Sequence, residues 1–314
     1  MITFGPVPSR RLGQSLGINN IPPKICSYSC VYCQVGRTLN LQIDRSAYYS
    51  LERITGDVRT RIEKVQANGG TIDFLTFVSD GEPTLDVNLG REIEMLGQFG
   101  FKTAVITNSS LLWNEEVRKE LLKADWVSVK MDTVCEETWH KINRPHPRLT
   151  LGSILDGIVK FSQQYRGELT TETMLVKDLN DGQDEIEGVA RCLTRVKPAK
   201  AYLAIPTRPP AEVNIQSPDE AVMNRCYQIC NEYLDHVEYL VGYEGNSYTL
   251  TGDVEEDILS ITAVHPMRKD AVISILNRSN ANKAIIQKLI KEDKLIETEY
   301  MSKIYYLRKL KKQK

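Results

Sequence analysis

Three cysteines, Cys26, Cys30 and Cys33, stand in the stretch Lys24-Ile25-Cys26-Ser27-Tyr28-Ser29-Cys30-Val31-Tyr32-Cys33-Gln34, a C-x3-C-x2-C spacing with an aromatic residue before the last thiol. Thiols this close together, in a stretch without helical or strand periodicity, suit a tight loop wrapped round a small inorganic cluster. The set is one ligand short. Four-iron clusters are usually held by four thiolates, and structural zinc closes with four ligands. The first histidine in the chain is His140, so no His completes the set nearby. Three thiolates on a four-iron cube leave one iron open to a small molecule. Two plainer readings stand beside this one: a zinc site that recruits a distant fourth ligand, and three unrelated thiols acting as small hydrophobes.

The elements around the loop read as alternating strands and helices. Ser15–Ile21 reads as a strand stopped by Pro22-Pro23, and the cysteine loop follows it directly. Between Ser50 and Asn68, Leu51, Ile54, Val58, Ile62 and Val65 recur at helical spacing before Gly69-Gly70. Ile72–Val78 is a buried strand. Further strands are expected at Lys102–Thr107, Trp126–Met131, Thr170–Val176 and Ala201–Ile205. Helices are expected near 87–99, 114–123, 151–165, 183–195 and 218–236. About six such units describe a parallel sheet covered by helices, an α/β partial (β/α)6 barrel of TIM type over residues 1–250. In such barrels the chemistry sits on loops at the C-terminal ends of the strands.

Residues 251–314 differ. Ala263–Leu276 and Lys283–Leu295 read as helices, Asn282 capping the second, and 295–307 reads as a hairpin turning near Met301–Lys303. Helix, helix and hairpin suggest a small winged-helix-like domain. From 252 onward there are thirteen Lys and Arg against nine Asp and Glu, with a basic tail at 308–314. This module is either a phosphate-contacting surface for RNA or a docking domain with a solvated tail.

Composition bounds the class. The chain has 314 residues, 41% hydrophobic and 26% charged, with a net charge of −1, which gives no global pull toward nucleic acid or membrane. It holds no run of about twenty apolar residues, and its first residues lack a signal-peptide pattern. Seven cysteines, an odd number, suit a reducing compartment. The expectation is a cytoplasmic enzyme with no membrane partner.

The cysteine loop, together with Ser79-Asp80-Gly81-Glu82-Pro83-Thr84 after the second strand, resembles the radical S-adenosylmethionine (radical SAM) superfamily. The resemblance implies a [4Fe-4S] cluster on Cys26, Cys30 and Cys33. It also implies S-adenosylmethionine (SAM) chelated to the open iron, and its reductive cleavage to methionine and a 5′-deoxyadenosyl radical. Asp80, Gly81, Glu82 and Pro83 then match the motif that receives the SAM ammonium, with Asp80 where a first glycine commonly stands. Tyr32 matches an aromatic that lies against adenine. Thr107, Asn108 and Ser109 face the same rim as contacts for the SAM ribose or carboxylate, while an ordinary helix cap explains them as well. Met174 and Lys177, with Glu172, flank the strand expected to line the adenosine pocket.

Lys130 and Asp132 bracket the end of a strand. A lysine on an apolar strand must face the barrel mouth or pair with a carboxylate, so both are candidate catalytic or substrate contacts. Arg208, in Pro206-Thr207-Arg208-Pro209-Pro210, is a candidate anion clamp. Arg10 and Arg11 are candidates for salt bridging or anion recognition. Cys135, Cys192, Cys226 and Cys230 are candidates for an auxiliary cluster, although Cys226 and Cys230 suit helix packing.

Within the superfamily the first 250 residues look similar to tRNA wyosine synthase, through Pro8-Ser9-Arg10-Arg11-Leu12-Gly13, the two motifs above, Ile106–Leu112 and Pro206–Pro210. Those enzymes carry a second cluster on cysteines upstream of the triad, and no cysteine precedes Cys26 here. Three functions therefore stay open. One is hydrogen abstraction from a tRNA nucleoside. Another is modification of a peptide, protein or small metabolite. The third is an Fe–S sensor whose winged helix binds nucleic acid. The enzyme readings need an external electron donor of ferredoxin or flavodoxin type.

Overall fold

The computed structural model describes residues 2–309 apart from Tyr243. The chain opens with a hairpin of antiparallel strands β1 (Thr3–Ser9) and β2 (Gly13–Ile18). Two short strands, β3 (Ile25–Cys26) and β4 (Asn40–Leu41), bracket the cysteine loop. The alternation then runs α1 (Leu51–Ala67), β5 (Phe74–Phe77), α2 (Leu89–Gly97), β6 (Lys102–Thr107), α3 (Glu115–Leu121), β7 (Trp126–Lys130), α4 (Glu136–Asn143) and α5 (Leu151–Gln164). It continues through β8 (Glu168–Met174), α6 (Gln183–Val196), β9 (Lys200–Ala204), α7 (Glu220–Tyr233) and β10 (Val237–Leu240).

The main sheet has the order β1-β2-β5-β6-β7-β8-β9-β10. Every neighbouring pair after β1–β2 is parallel. This is the expected partial barrel, extended by one strand at each edge. The segment that forms β1 holds Pro6 and Pro8, which read as breaks, yet an edge strand tolerates residues that cannot donate to a ladder. Gly17 in β2 is required by contact: a Cβ there would sit 2.0 Å from the Phe4 ring. The helix expected to reach His236 stops at Tyr233, and the next residues become β10. Helix α4 was not expected; its eight residues bury Trp139 and Ile142, too short a run to stand out by periodicity.

Side chains of the β1–β2 turn and the start of β2 reach the segment after β10. Arg10 donates to Val241 O, Gln14 Nε2 to Ser247 O at 3.1 Å, and Thr249 Oγ1 to Gln14 Oε1 at 3.1 Å.

The terminal region contains α8 (Val254–Thr262), β11 (Met267–Arg268), α9 (Lys269–Arg278), α10 (Ala284–Lys291), β12 (Leu295–Tyr300) and β13 (Lys303–Arg308). The helix expected from Ala263 to Leu276 is therefore broken: Pro266 drives His265 out of helical geometry, and α9 begins only at Lys269. Asn282 Oδ1 accepts from Ala284 N at 2.8 Å just ahead of α10, but the capping position falls on Lys283, one residue later than expected. The hairpin turns on Met301 and Ser302, both at positive φ, the pairing a two-residue hairpin loop of the tightest kind demands. Its three strands order β11-β13-β12. Phe4 and Val7 of β1 share a core with Ile258, Met267, Ile275 and Leu289, so the module is packed onto the barrel edge. A buried ion pair, Arg61 to Asp257 at 3.0 Å, fastens it to α1. Of the basic tail, Arg308 donates to Leu259 O at 3.0 Å and Lys309 to Asp293 Oδ1 at 2.6 Å; residues 310–314 lie outside the described residues.

Candidate functional site

The loop carrying Cys26, Cys30 and Cys33 leaves β2 and is held from several sides. Val31 N donates to Ile142 O at 2.9 Å and Ser29 N to Asn143 O at 3.0 Å, so α4 backs its middle. Gly81 crosses its start. A Cβ on Gly81 would lie 1.9 Å from Ile25 O, and Glu82 N donates to that same oxygen at 3.1 Å. The glycine thus lets the 80–83 segment run directly beside Cys26.

All three thiols are free of disulfides. Burial raises the pKa of each, and at Cys26 Glu82 adds to the effect. Cys30 is pushed to about 12, by burial and then by Asp132. Cys33 is raised by burial and eased back chiefly by Lys24. Two side-chain amides point at the sulfurs: Asn108 Nδ2 reaches Cys26 Sγ at 3.4 Å, and Asn143 Nδ2 reaches Cys30 Sγ at 3.4 Å.

Glu82 is buried and fully engaged. Its carboxylate accepts from Thr84 N at 3.1 Å, Thr84 Oγ1 at 2.6 Å, Thr107 Oγ1 at 2.7 Å and Asn108 N at 2.7 Å. These bonds link the end of β5 to the end of β6 and fix Thr107 and Asn108 at the rim. Ser109 sits at φ 69°, its N–H on Thr107 Oγ1 at 3.0 Å. Asp80 faces Lys24 across 3.6 Å, and burial raises its pKa to about 6.

Below the loop, Asp132 is a hub. Its carboxylate accepts from the Tyr32 hydroxyl, from Asn143 Nδ2 at 2.7 Å and from Met174 N at 2.9 Å. Lys130 lies over the Tyr32 ring, 4.7 Å from its centroid, and pairs with Glu172 at 2.9 Å. Burial works against the Lys130 ammonium, but Glu172 and Asp132 outweigh it and raise its pKa. Glu172 takes Arg11 on its other oxygen at 2.7 Å. Burial alone would raise the Glu172 carboxyl; Lys130 and Arg11 bring it down to about 2. Arg11 reaches up from the β1–β2 turn, between the Trp126 and Tyr202 rings.

The structure thus brings together the three cysteines, Tyr32, Asp80–Pro83, Thr107–Ser109, Lys130, Asp132 and Met174. Lys177 is exposed, its backbone N–H donating to Gln216 O at 3.0 Å. Arg208 is engaged by Glu244 at 2.7 Å, so it is a tether within the protein. Cys226 and Cys230 are buried in the core between α6, α7 and β9. Asn143 and Lys24 escaped the sequence reading. Asn143 lies on the unexpected α4, and Lys24 carried no spacing signal beyond its place before Cys26.

A match to the model of the Radical SAM superfamily covers residues 20–193. That span holds the cysteine loop, the 79–84 motif and the β6 and β7 rims just described. The chain belongs to this superfamily, whose members are enzymes that use a [4Fe-4S] cluster and SAM and draw on a reductant. A UPF0026 protein of Methanocaldococcus jannaschii is 49% identical over 312 residues, 99% of this chain and 97% of that one. Among solved structures, a radical SAM methyltransferase from Sphaerobacter thermophilus aligns with TM-score 0.57 and 17% identity, over 75% of this chain and 69% of that one. TYW1, the wyosine synthase, with a lysine–pyruvate adduct bound, aligns with TM-score 0.52 and 15% identity, over 70% of this chain and 74% of that one. At these identities the two structures share the fold, in line with the expected likeness to wyosine synthase.

The residues present fit both groups. Among the described residues no three His, Cys, Asp or Glu side chains converge as one bound ion requires; a multi-iron cluster instead meets its thiolates at separate corners. Amide donors to two sulfurs and a lysine beside the third suit a cluster that gains negative charge on reduction. Ser109 Oγ is buried without a hydrogen-bond partner in the protein, and the Asp80–Lys24 ion pair beside it, 3.6 Å long, leaves hydrogen-bonding capacity on both groups, polar surface of the kind a zwitterionic ligand such as SAM satisfies. Among the described residues no helix is long and apolar enough to cross a membrane.

Proposed function

We propose that the protein abstracts hydrogen from a tRNA nucleoside presented at the barrel mouth. In this reading Cys26, Cys30 and Cys33 hold the cluster, and Asp80–Pro83 with Thr107, Asn108 and Ser109 receive SAM. The cluster and SAM together supply one-electron cleavage of the sulfonium and the radical that takes hydrogen. Tyr32 and Met174 form the wall toward the adenosine. Asp132, whose oxygens accept three hydrogen bonds, holds Tyr32 and Met174 in place, and the Lys130–Glu172–Arg11 chain fixes the charge beneath them. A ferredoxin- or flavodoxin-type protein serves as reductant.

One observation carries the choice of tRNA. The terminal module has the order helix, strand, helix, helix, hairpin, that of a winged helix, and its hairpin leans on the barrel rim. Tyr300 and Tyr305 donate to Pro206 O at 2.9 Å and Thr207 O at 3.0 Å. A strand of RNA on α10 and the hairpin, where Lys283, Lys291 and Lys303 are exposed, would lie beside the mouth.

Binding of total tRNA, titrated against salt, tests this. The reading expects affinity that falls steeply with salt and drops further in Lys283→Glu/Lys291→Glu. Salt-insensitive or absent binding would favour a peptide or metabolite substrate instead.

A further inference from the structure

The turn after Cys33 belongs jointly to the barrel and the terminal module. Gln34 Nε2 donates to Val264 O at 2.9 Å, while Gln34 Oε1 accepts from Arg208 at 3.2 Å. Val35 packs against the terminal core. The other guanidinium nitrogen of Arg208 holds Glu244 at 2.7 Å and lies 2.9 Å from His265 Nε2. His265 is buried, and burial with Arg208 beside it lowers its pKa well below the usual value. A guanidinium has only donors, so His265 Nε2 accepts from Arg208.

Arg208 stands in a rim segment, 206–217, gripped on both sides. Tyr300 and Tyr305 hold Pro206 and Thr207 from the hairpin. Further along, Glu212 N donates to Val31 O at 3.1 Å, inside the cysteine loop. The Glu212 carboxylate takes Arg37 at 2.7 Å and Arg144 at 2.5 Å. The segment touches the cysteine loop at Val31 and Gln34, on either side of Cys33.

We propose that segment 206–217 is a strap joining the terminal module to the cluster loop, with Arg208 as the positioning residue that sets the turn after Cys33. The contacts do not depend on which substrate is used, so the inference stands apart from the tRNA reading. A partner that shifts the hairpin would be felt at the cluster through the strap.

The test compares wild type, Arg208→Ala and Tyr300→Phe/Tyr305→Phe after anaerobic loading with iron and sulfide. Three quantities are read: iron content, the rate at which a ferrous chelator strips iron, and the electron paramagnetic resonance (EPR) spectrum of the reduced cluster. Iron content should match wild type, since the three thiols remain. Iron loss should quicken about tenfold in Arg208→Ala, the scale of losing hydrogen bonds to a charged group. The double tyrosine variant should show a smaller rise, and both spectra should shift. Val117→Ala, which hollows the core under α3, controls for general loosening. Wild-type rates and spectra in both strap variants would overturn the proposal. So would equally fast iron loss in Val117→Ala at an equal fall in melting temperature.

Discussion

Asn143 donates its side-chain amide to Cys30 Sγ at 3.4 Å from the last turn of α4, a helix that begins after the β7 strand end. The same amide holds Asp132 Oδ2 at 2.7 Å. One side chain thus ties a cluster thiol to the carboxylate that fixes Tyr32. On the opposite flank Asn108 does the same for Cys26 and Ser27.

Hydrogen bonds to cluster sulfur favour the more negative, reduced state. Asn143→Ala and Asn108→Ala should therefore keep their iron but become harder to reduce. One lost bond of about 1 kcal/mol corresponds to about 40 mV. Redox titration of the loaded cluster checks this; a potential unmoved in both variants would contradict the role.

Glu172, itself buried, is shared by two partly buried cations, Lys130 and Arg11. Glu172→Gln removes the carboxylate that Lys130 and Arg11 share and leaves Asp132 as the nearby negative charge for Lys130, and should cost about 3 kcal/mol in denaturant unfolding. Lys130→Met leaves the Arg11–Glu172 pair and should cost less. The Glu172 carboxyl is depressed to about 2 from 4.5. Its contribution is present above 4.5 and is lost as pH falls toward 2. A larger loss from Lys130→Met than from Glu172→Gln would contradict this ordering.

Behind the 80–85 segment lie two buried carboxyls, Asp86 and Glu92, whose raised pKa values predict that they share a proton. Asp86 Oδ2 and Glu92 Oε1 are buried without another donor, and Asn20 Nδ2 bridges Glu92 to Pro83 O at 3.1 Å each. Burial, with Asp86 nearby, raises Glu92 from 4.5 to about 9. A raised carboxyl stabilises the fold fully below 4.5, and this is lost as pH rises toward 9. Glu92→Gln keeps a donor for Asp86 and an acceptor for Asn20, so its melting temperature should fall less over that range than wild type. Parallel curves for the two proteins would count against a shared proton.

Cys226 and Cys230 lie against Leu203 and Val237 in a packed core. Cys226→Ala and Cys230→Ala should each cost about 1 kcal/mol of stability and leave iron content after loading unchanged. A fall in bound iron would reopen a second cluster.

The parts legible in sequence were those whose chemistry is local. The C-x3-C-x2-C spacing and Gly81-Glu82-Pro83 carry their meaning within a few residues, and the apolar strands β5 to β9 announce themselves by composition. Strand β1 was hidden by its prolines, which an edge position tolerates. Asn143 and the Arg208–Gln34–His265 cluster were not legible, because their partners lie tens to hundreds of residues apart and meet only when the sheet curls. Pairing also altered the meaning of residues that were singled out. Arg208 reads as a free anion clamp until Glu244 and His265 are beside it.

The most direct measurement loads the protein with iron and sulfide without oxygen, reduces it with SAM present, and quantifies 5′-deoxyadenosine for wild type and Cys30→Ala. Wild type should bind about four irons and release 5′-deoxyadenosine, and Cys30→Ala should lose both. Full iron and undiminished cleavage in Cys30→Ala would contradict the assignment of the three cysteines.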